Sequence, residues 1–598
     1  MVTRRRRRRP PRPLRRTGAV AGWCLLVVAT TVVAAGVWTA ADALRVRDQL
    51  TDAAALVPQL EEQVRAGDLD AVTENVAALR SVSAAAVRTT HAPHWDLFSR
   101  LPGVGPDVAA VRTLTDVVAE LADGALPRLP DVVAAVSPAS LAPVDGRVDV
   151  AAVAEQAPHV VAADDSVLRA LATLATIDRD GLLPQVTDAA DRLEGELTQL
   201  RTSTATAARA VRLLPAMLGA DGPRQYLLVV QNNAEPRALG GIAGSVVLLR
   251  TEDGRVEIVE QRAGNTLTFP TSPLPLEPVE TALFGDQVGR YLINATSTPD
   301  FPRAAELAAS AWRAETGTTV DGVLSVDPVA LAAVLGATGP VTTSTGVTLD
   351  SDNAAAYLLN QIYLDEPDPA GQDLFFTDAA SAVFDALSSG AGDAGGLLTS
   401  LVAATDAHRL LLWSSHPVEQ EALAGTVLAG ELRGDLGGAP VVGVALNDGS
   451  GAKVGYYLDV RPTVTVLECR PDGSQRLGVS VALRSDVPDP ATLPEYVTGG
   501  GVFVPEGMTR TNVLVYAPTA GRVLTAGSDG GETAVLSQSH DGLAVVSQTV
   551  DLMPGESRTL EYELLSGPDL RAAPHLRLTP GPRASQGVVE PGCAEETR

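Results

Sequence analysis

From Arg224 onward the chain is a succession of short apolar runs broken by turn residues, and the first three runs set the frame for the rest. Tyr226 to Gln231 is apolar. Asn232 to Gly244 interrupts it with polar residues, a proline and three glycines, and Ser245 to Arg250 resumes it before Asp253-Gly254 turns into Arg255 to Gln261. This predicts strand, polar loop, strand, tight turn, strand. Further on, Asp300 to Glu315 places Ala304, Leu307, Ala308, Ala311 and Trp312 on one helical face. Val320 to Val326 reads as a strand and Pro328 to Leu335 as a short helix. Val341 to Val347 is a second strand, and Asp352 to Leu364, Thr377 to Leu387, Leu397 to Ala404 and Pro417 to Ala424 are further helices. Strands interleaved with helices predict a central α/β (α+β) sandwich domain over 221–430.

The pattern on either side differs. From 42 to 220 the apolar positions recur at three and four residues, as in Leu56, Leu60 and Val64, in Val72, Val76 and Leu79, and in Val186, Leu193, Leu197 and Leu200. That spacing predicts an all-α stalk or bundle. Over 438–566 the residues alternate, with turn signals at Asp448-Gly449, Pro471-Asp472-Gly473, Asp541-Gly542 and Pro554-Gly555, which predicts a β-sandwich of immunoglobulin-like or general antiparallel type. Such a module binds a protein partner or acts as a spacer. Residues 567–598 form a Pro/Gly-rich tail.

Composition adds a compartment. Gly18 to Ala41 carries no charge over 24 residues, enough to cross a ~30 Å hydrocarbon layer as a helix. Nine arginines lie within 1–17 and no acid does, so the positive-inside rule places this tail in the cytoplasm and the bulk of the chain outside. We therefore expect a single-pass signal-anchor protein of the cell membrane, a cleaved signal peptide being the alternative. Net charge is −26, leaving −26 − 9 = −35 beyond the tail, a balance that repels nucleic acid. With aromatics at 4%, the cores must be built from Ala, Val and Leu, a composition that suits a GC-rich, actinobacteria-like source. Cys24 lies in the apolar span, so Cys469 and Cys593 are the only outside thiols. In an oxidising compartment they form a candidate disulfide pinning the tail, with two free thiols as the alternative.

The chemistry-bearing residues concentrate in the polar loop. Gln231, Asn232, Asn233, Glu235 and Arg237, followed by Gly240, Gly241 and Ser245, could recognise sugar hydroxyls through paired hydrogen bonds, or a phosphate through Arg237 and exposed amides. The alternative is that these side chains satisfy the loop's own backbone. Asn294, Asp300 and Arg303 are further ligand-binding candidates, with Asp300 also readable as a helix cap. Asp321 and Asp327 bracket a strand and could line the same cleft, although Asp327-Pro328 is equally a helix start. There is no H-E-x-x-H, no G-x-x-x-x-G-K-[ST] and no G-x-S-x-G, which argues against a zinc peptidase, a P-loop nucleotidase and a common serine hydrolase. No catalytic residue and no metal ligand is singled out.

Three segments, QNNAEPRALGG, PDFPRAAELAASAW and VDGVLSVDPVALAAVLGATGPV, resemble the domain of unknown function 4012 family of bacterial envelope proteins. In segment order the central domain also resembles the LytR-CpsA-Psr family. That second resemblance implies transfer of polyprenyl-pyrophosphate-linked glycopolymers, with arginines and acids around the pyrophosphate. Here the helix that would carry further arginines reads DNAAAYLLNQIYL, with Asn360 and Gln361 in place of basic residues. Under that transferase alternative a cation such as magnesium would have to help. Otherwise no cofactor is identified. The expected partners are the membrane and a cell-wall or capsular glycopolymer, and the expected role is binding or handling that polymer or its lipid-linked precursor.

Overall fold

The computed structural model describes residues 38, 41–49, 56, 59, 63, 69–124, 126–128, 142–390, 392–583, 587–590 and 593. The arginine tail and nearly all of the expected membrane helix lie outside the described residues. Among those described, no helix is long and apolar enough to cross a membrane.

The protein is multidomain and α+β, and its contacts divide it into two compact units: 1–137 with 152–212, and 138–151 with 213–598. The first unit is helical, built on Leu69–Thr90, Pro93–Phe98 and Gly105–Gly124 with most of Val150–Leu174 and most of Pro184–Met217. Ala110, Leu114, Val117, Ala170, Leu174, Ala190 and Leu197 fill one of its cores, and Val72, Val76, Leu79 and Ala122 fill another. Small side chains at three- and four-residue spacing let these helices pack closely.

The second unit opens with β1 (Arg224–Arg237), β2 (Gly240–Glu252) and β3 (Arg255–Ala263). The expected loop at 232–244 is not a loop. The two strands run on through it, with register shifts at Val230/Gln231 and Asn232/Pro236, and turn only at Ala238 and Leu239. Polar sequence in this stretch is strand because its side chains are buried against partners from distant segments. β4 (Gly322–Val326) pairs parallel to β1, and β7 (Leu411–Ser414), which the hydrophobic pattern did not reveal, closes the order β3-β2-β1-β4-β7. The strand expected at Val341 to Val347 is only a two-residue ladder, β5 (Val341–Thr342) with β6 (Thr348–Leu349). Helix Phe301–Thr316 buries the predicted Ala304, Leu307, Ala308, Ala311 and Trp312. The helix expected at Asp352 to Leu364 runs through Ala354–Ala356, Tyr357–Gln361 and Ile362–Asp365, its middle segment wound as a π-helix.

The C-terminal strands are β8 (Asp435–Leu436), β9 (Ala439–Asp448), β10 (Leu458–Cys469), β11 (Gln475–Ser485), β12 (Thr509–Tyr516), β13 (Arg522–Ser528), β14 (Gly531–Glu532), β15 (Leu536–His540), β16 (Leu543–Leu552), β17 (Ser557–Leu565), β18 (His575–Leu578) and β19 (Val588–Val589). They make two sheets, β14-β13-β17-β11-β10-β19 and β15-β16-β12-β9-β18, with β8 paired to β9. Val444, Val479, Val513, Val546 and Leu560 meet in the core between them. The other face of the β9-containing sheet is also covered. Its Ala445, Leu514, Tyr516 and Val545 share a core with Leu227, Phe301 and Trp312, so the central and C-terminal parts are fused into one unit. The tail is part of this architecture: β18 adds parallel to β9, β19 adds parallel to β10, and Cys469 is disulfide-bonded to Cys593 across a Cα–Cα distance of 5.8 Å.

Candidate functional site

The end of the β1–β2 hairpin is where the chemistry predicted from sequence collects. The turn is tight because Gly241 lies against the strand opposite: a Cβ there would stand 2.1 Å from the Asn232 carbonyl oxygen. Gly240, at φ 138°, lies beneath the Gln231 and Asn233 side chains. The turn is clasped from outside by the C-terminal sheet. Asn447 Oδ1 accepts from the Ala238 amide at 3.0 Å, and Thr579 Oγ1 donates to the Ala238 carbonyl at 3.0 Å.

Each polar side chain of the hairpin is then taken by a partner far away in sequence. Gln231 donates to Ser325 Oγ at 2.6 Å and accepts from the Gly241 amide at 2.7 Å. Asn232 donates to the Tyr363 hydroxyl and accepts from the Ala234 amide. Asn233 Nδ2 donates to Asp327 Oδ2 at 3.1 Å and to the Pro580 carbonyl at 2.9 Å, while its Oδ1 has no partner among the described residues. Glu235 accepts from Lys453 Nζ at 2.7 Å. Arg237 grips Asn294 Oδ1 through Nε at 3.2 Å and Nη2 at 2.9 Å, and donates from Nη1 to the Pro236 carbonyl.

Three polar nests result. In the first, Arg237 and Asn294 meet near Asp448, whose carboxylate accepts from Ser450 and the Gly451 amide. Burial pushes Asp448 up to about 6 against the opposing pull of Arg237. In the second, Lys453 is held by Glu235 and lies 4.8 Å from the Tyr363 ring centroid and 5.1 Å from that of Tyr496. Burial alone would lower the Lys453 ammonium, but the Glu235 carboxylate more than offsets it and the net shift is upward. In the third, Asp327 caps helix Pro328–Thr338 by accepting from the Ala330 amide, and it pairs with Arg409. Burial pushes Asp327 up, with Arg409 pulling against it. Arg409 also donates to the carbonyls of Gly581 and Arg583, so the tail forms the roof of this nest.

The remaining candidates lie elsewhere. Asp300 caps helix Phe301–Thr316, accepting from the Arg303 and Leu432 amides, and burial pushes its carboxyl up. Arg303 chelates Glu280 at 2.7 and 2.9 Å; burial raises Glu280, but the Arg303 bonds outweigh it and hold it below the usual carboxylate value. Among the described residues the Ser245 hydroxyl bonds Gln261 and the Arg262 carbonyl. Asp321 and Asp327 do not line one cleft, because they lie at opposite ends of the five-residue β4; Asp321 instead pairs with Arg224 and His416. The pattern reading missed Tyr363, Arg409, Asp448 and Lys453. One signal for Lys453 was available, since it is the only lysine in the chain. Among the described residues no three His, Cys, Asp or Glu converge as a set that could hold a metal ion.

Residues 221–363 match the family model described as "Protein of unknown function (DUF4012)". No curated protein matches the chain significantly.

Proposed function

We propose that this is a membrane-anchored extracytoplasmic protein of the cell envelope that binds or handles a surface polysaccharide or its lipid-linked precursor without transferring it. The observation that carries the choice between binding and transfer is that the cations on and around the hairpin are already spent. Arg237 is 8% exposed and its donors go to Asn294 and Pro236, while Arg303 serves Glu280 and Arg409 serves Asp327. A pyrophosphate carries two or more charges and needs free donors; here each would first have to be taken from a buried partner. The Cys469–Cys593 bond supports an oxidising compartment. In this reading the paired C-terminal sheets act as an immunoglobulin-like binding module, and the central domain is the rigid frame that carries it.

Calorimetric titration of the full chain in detergent, against polyprenyl pyrophosphate and against neutral glycans, with and without magnesium, tests the reading. Glycan binding without pyrophosphate binding is the expected result. Magnesium-dependent pyrophosphate binding that Arg237→Ala abolishes would overturn it in favour of a LytR-CpsA-Psr-like glycopolymer phosphotransferase.

A further inference from the structure

The two C-terminal sheets differ in what covers their outer faces. The β9-containing sheet turns its outer face to the central domain. Among the described residues none covers the outer face of the β11-containing sheet, and a groove of about 480 Å³ crosses it.

The strand register says how the groove is built. Thr465, Gly478, Glu563 and Thr525 stand side by side across β10, β11, β17 and β13. Two residues along, Thr463, Ser480, Glu561 and Gly527 form a parallel row. Gly478 and Gly527 supply no side chain, so the floor sinks where they lie, and the Leu467 side chain leans over Gly478. The groove therefore runs across the strands, advancing ~4.8 Å per strand, close to the repeat of a pyranose unit in an extended chain.

Its polar groups are unspent, unlike those of the hairpin. Among the described residues, the hydroxyls of Thr463, Thr465, Ser480 and Thr525 make no side-chain hydrogen bond to protein, and Glu561 and Glu532 have no ion-pair partner. Glu563 is held by Arg476 at 2.7 and 3.2 Å, which fixes one carboxylate and consumes the cation. A floor of free hydroxyls and carboxylate acceptors in repeating rows matches the donors and acceptors of sugar hydroxyls. The unpaired carboxylates repel an anionic chain.

We propose that this groove is a binding site for an extended, uncharged glycan chain lying across the strands of the open sheet. The proposal rests on the polysaccharide-binding reading above and locates its site away from the hairpin.

The test is isothermal titration of the full chain in detergent with mannohexaose, maltohexaose, cellohexaose and xylohexaose, using hexagalacturonate as the anionic control. Two variants accompany the wild type. Gly478→Tyr fills the trough; a Cβ there meets the Leu467 side chain first, at 3.4 Å, so the fold can accept it. Glu561→Gln keeps shape and removes one charge. The expected result is binding of at least one neutral hexaose, a tenfold or greater loss in Gly478→Tyr with unchanged melting temperature, a smaller loss in Glu561→Gln, and no hexagalacturonate binding. A neutral hexaose that binds both variants as tightly as the wild type overturns this site while leaving the polysaccharide reading standing. Absence of binding by all four neutral chains overturns both, and hexagalacturonate binding as tight as the neutral chains overturns the charge argument.

Discussion

Replacing Arg409 by Met keeps most of the side chain's volume and removes its charge, which isolates the role of the Asp327–Arg409 pair. Asp327 is 2% exposed and Arg409 8%, so neither group has water to fall back on. Removing one member of a buried pair costs about 3–5 kcal/mol, because the survivor is left as an uncompensated buried charge or must take up a proton. Arg409→Met also deletes the bonds to the Gly581 and Arg583 carbonyls, loosening the tail at the roof of the nest. Asp327→Asn keeps an acceptor for the Ala330 cap and relieves the stranded charge. The double variant should therefore lose less than the sum of the singles, by about 1–3 kcal/mol. Hydrogen–deuterium exchange is the suitable assay, since it reads local opening without requiring the whole chain to unfold in one step. Peptides covering helix Pro328–Thr338 and β18 should exchange faster in Arg409→Met by roughly two to four powers of ten, 1.36 kcal/mol being a factor of ten. If Arg409→Met changes exchange less than fivefold, or if the two single effects simply add, the pair is not holding the nest together and Arg409 is free to serve a ligand.

Other consequences can be checked independently. Asp448 is protonated more readily in the folded protein, at about 6, than in the unfolded chain. Its contribution to stability therefore falls as pH rises between roughly 4 and 6, by at most about 3 kcal/mol, and Asp448→Asn should gain on the wild type across that window in urea denaturation; a constant difference would refute the assignment. Cys469→Ser opens a loop of 124 residues and should cost up to about 5 kcal/mol in the chain-entropy picture; a loss under about 1 kcal/mol in guanidinium titration would mean the paired strands, not the disulfide, hold the tail. Gly241→Ala places a methyl 2.1 Å from a backbone oxygen and should cost about 1–3 kcal/mol, read as a lower melting temperature, whereas an unchanged melting temperature would show that the turn can relax.

Periodicity and turn chemistry were enough to determine the order and kind of most elements. Helix Phe301–Thr316 buries the face its spacing marks, Asp300 and Asp327 cap the helices they precede, and β16 and β17 lie where alternation places them. These features depend on residues a few positions apart, so a one-dimensional pattern contains them. What the tertiary structure alone decided is the use of the polar hairpin. Asn232 meets Tyr363 and Arg237 meets Asn294, while Asn233 meets a tail carbonyl 347 residues away; nothing local in QNNAEPRALGG distinguishes an open ligand loop from a buried clasp. The same polar side chains serve either purpose, and burial by distant segments selects between them. Strands β18 and β19 were illegible for a related reason. They are too short to carry a pattern, and they are strands because sheet edges already formed elsewhere accept them.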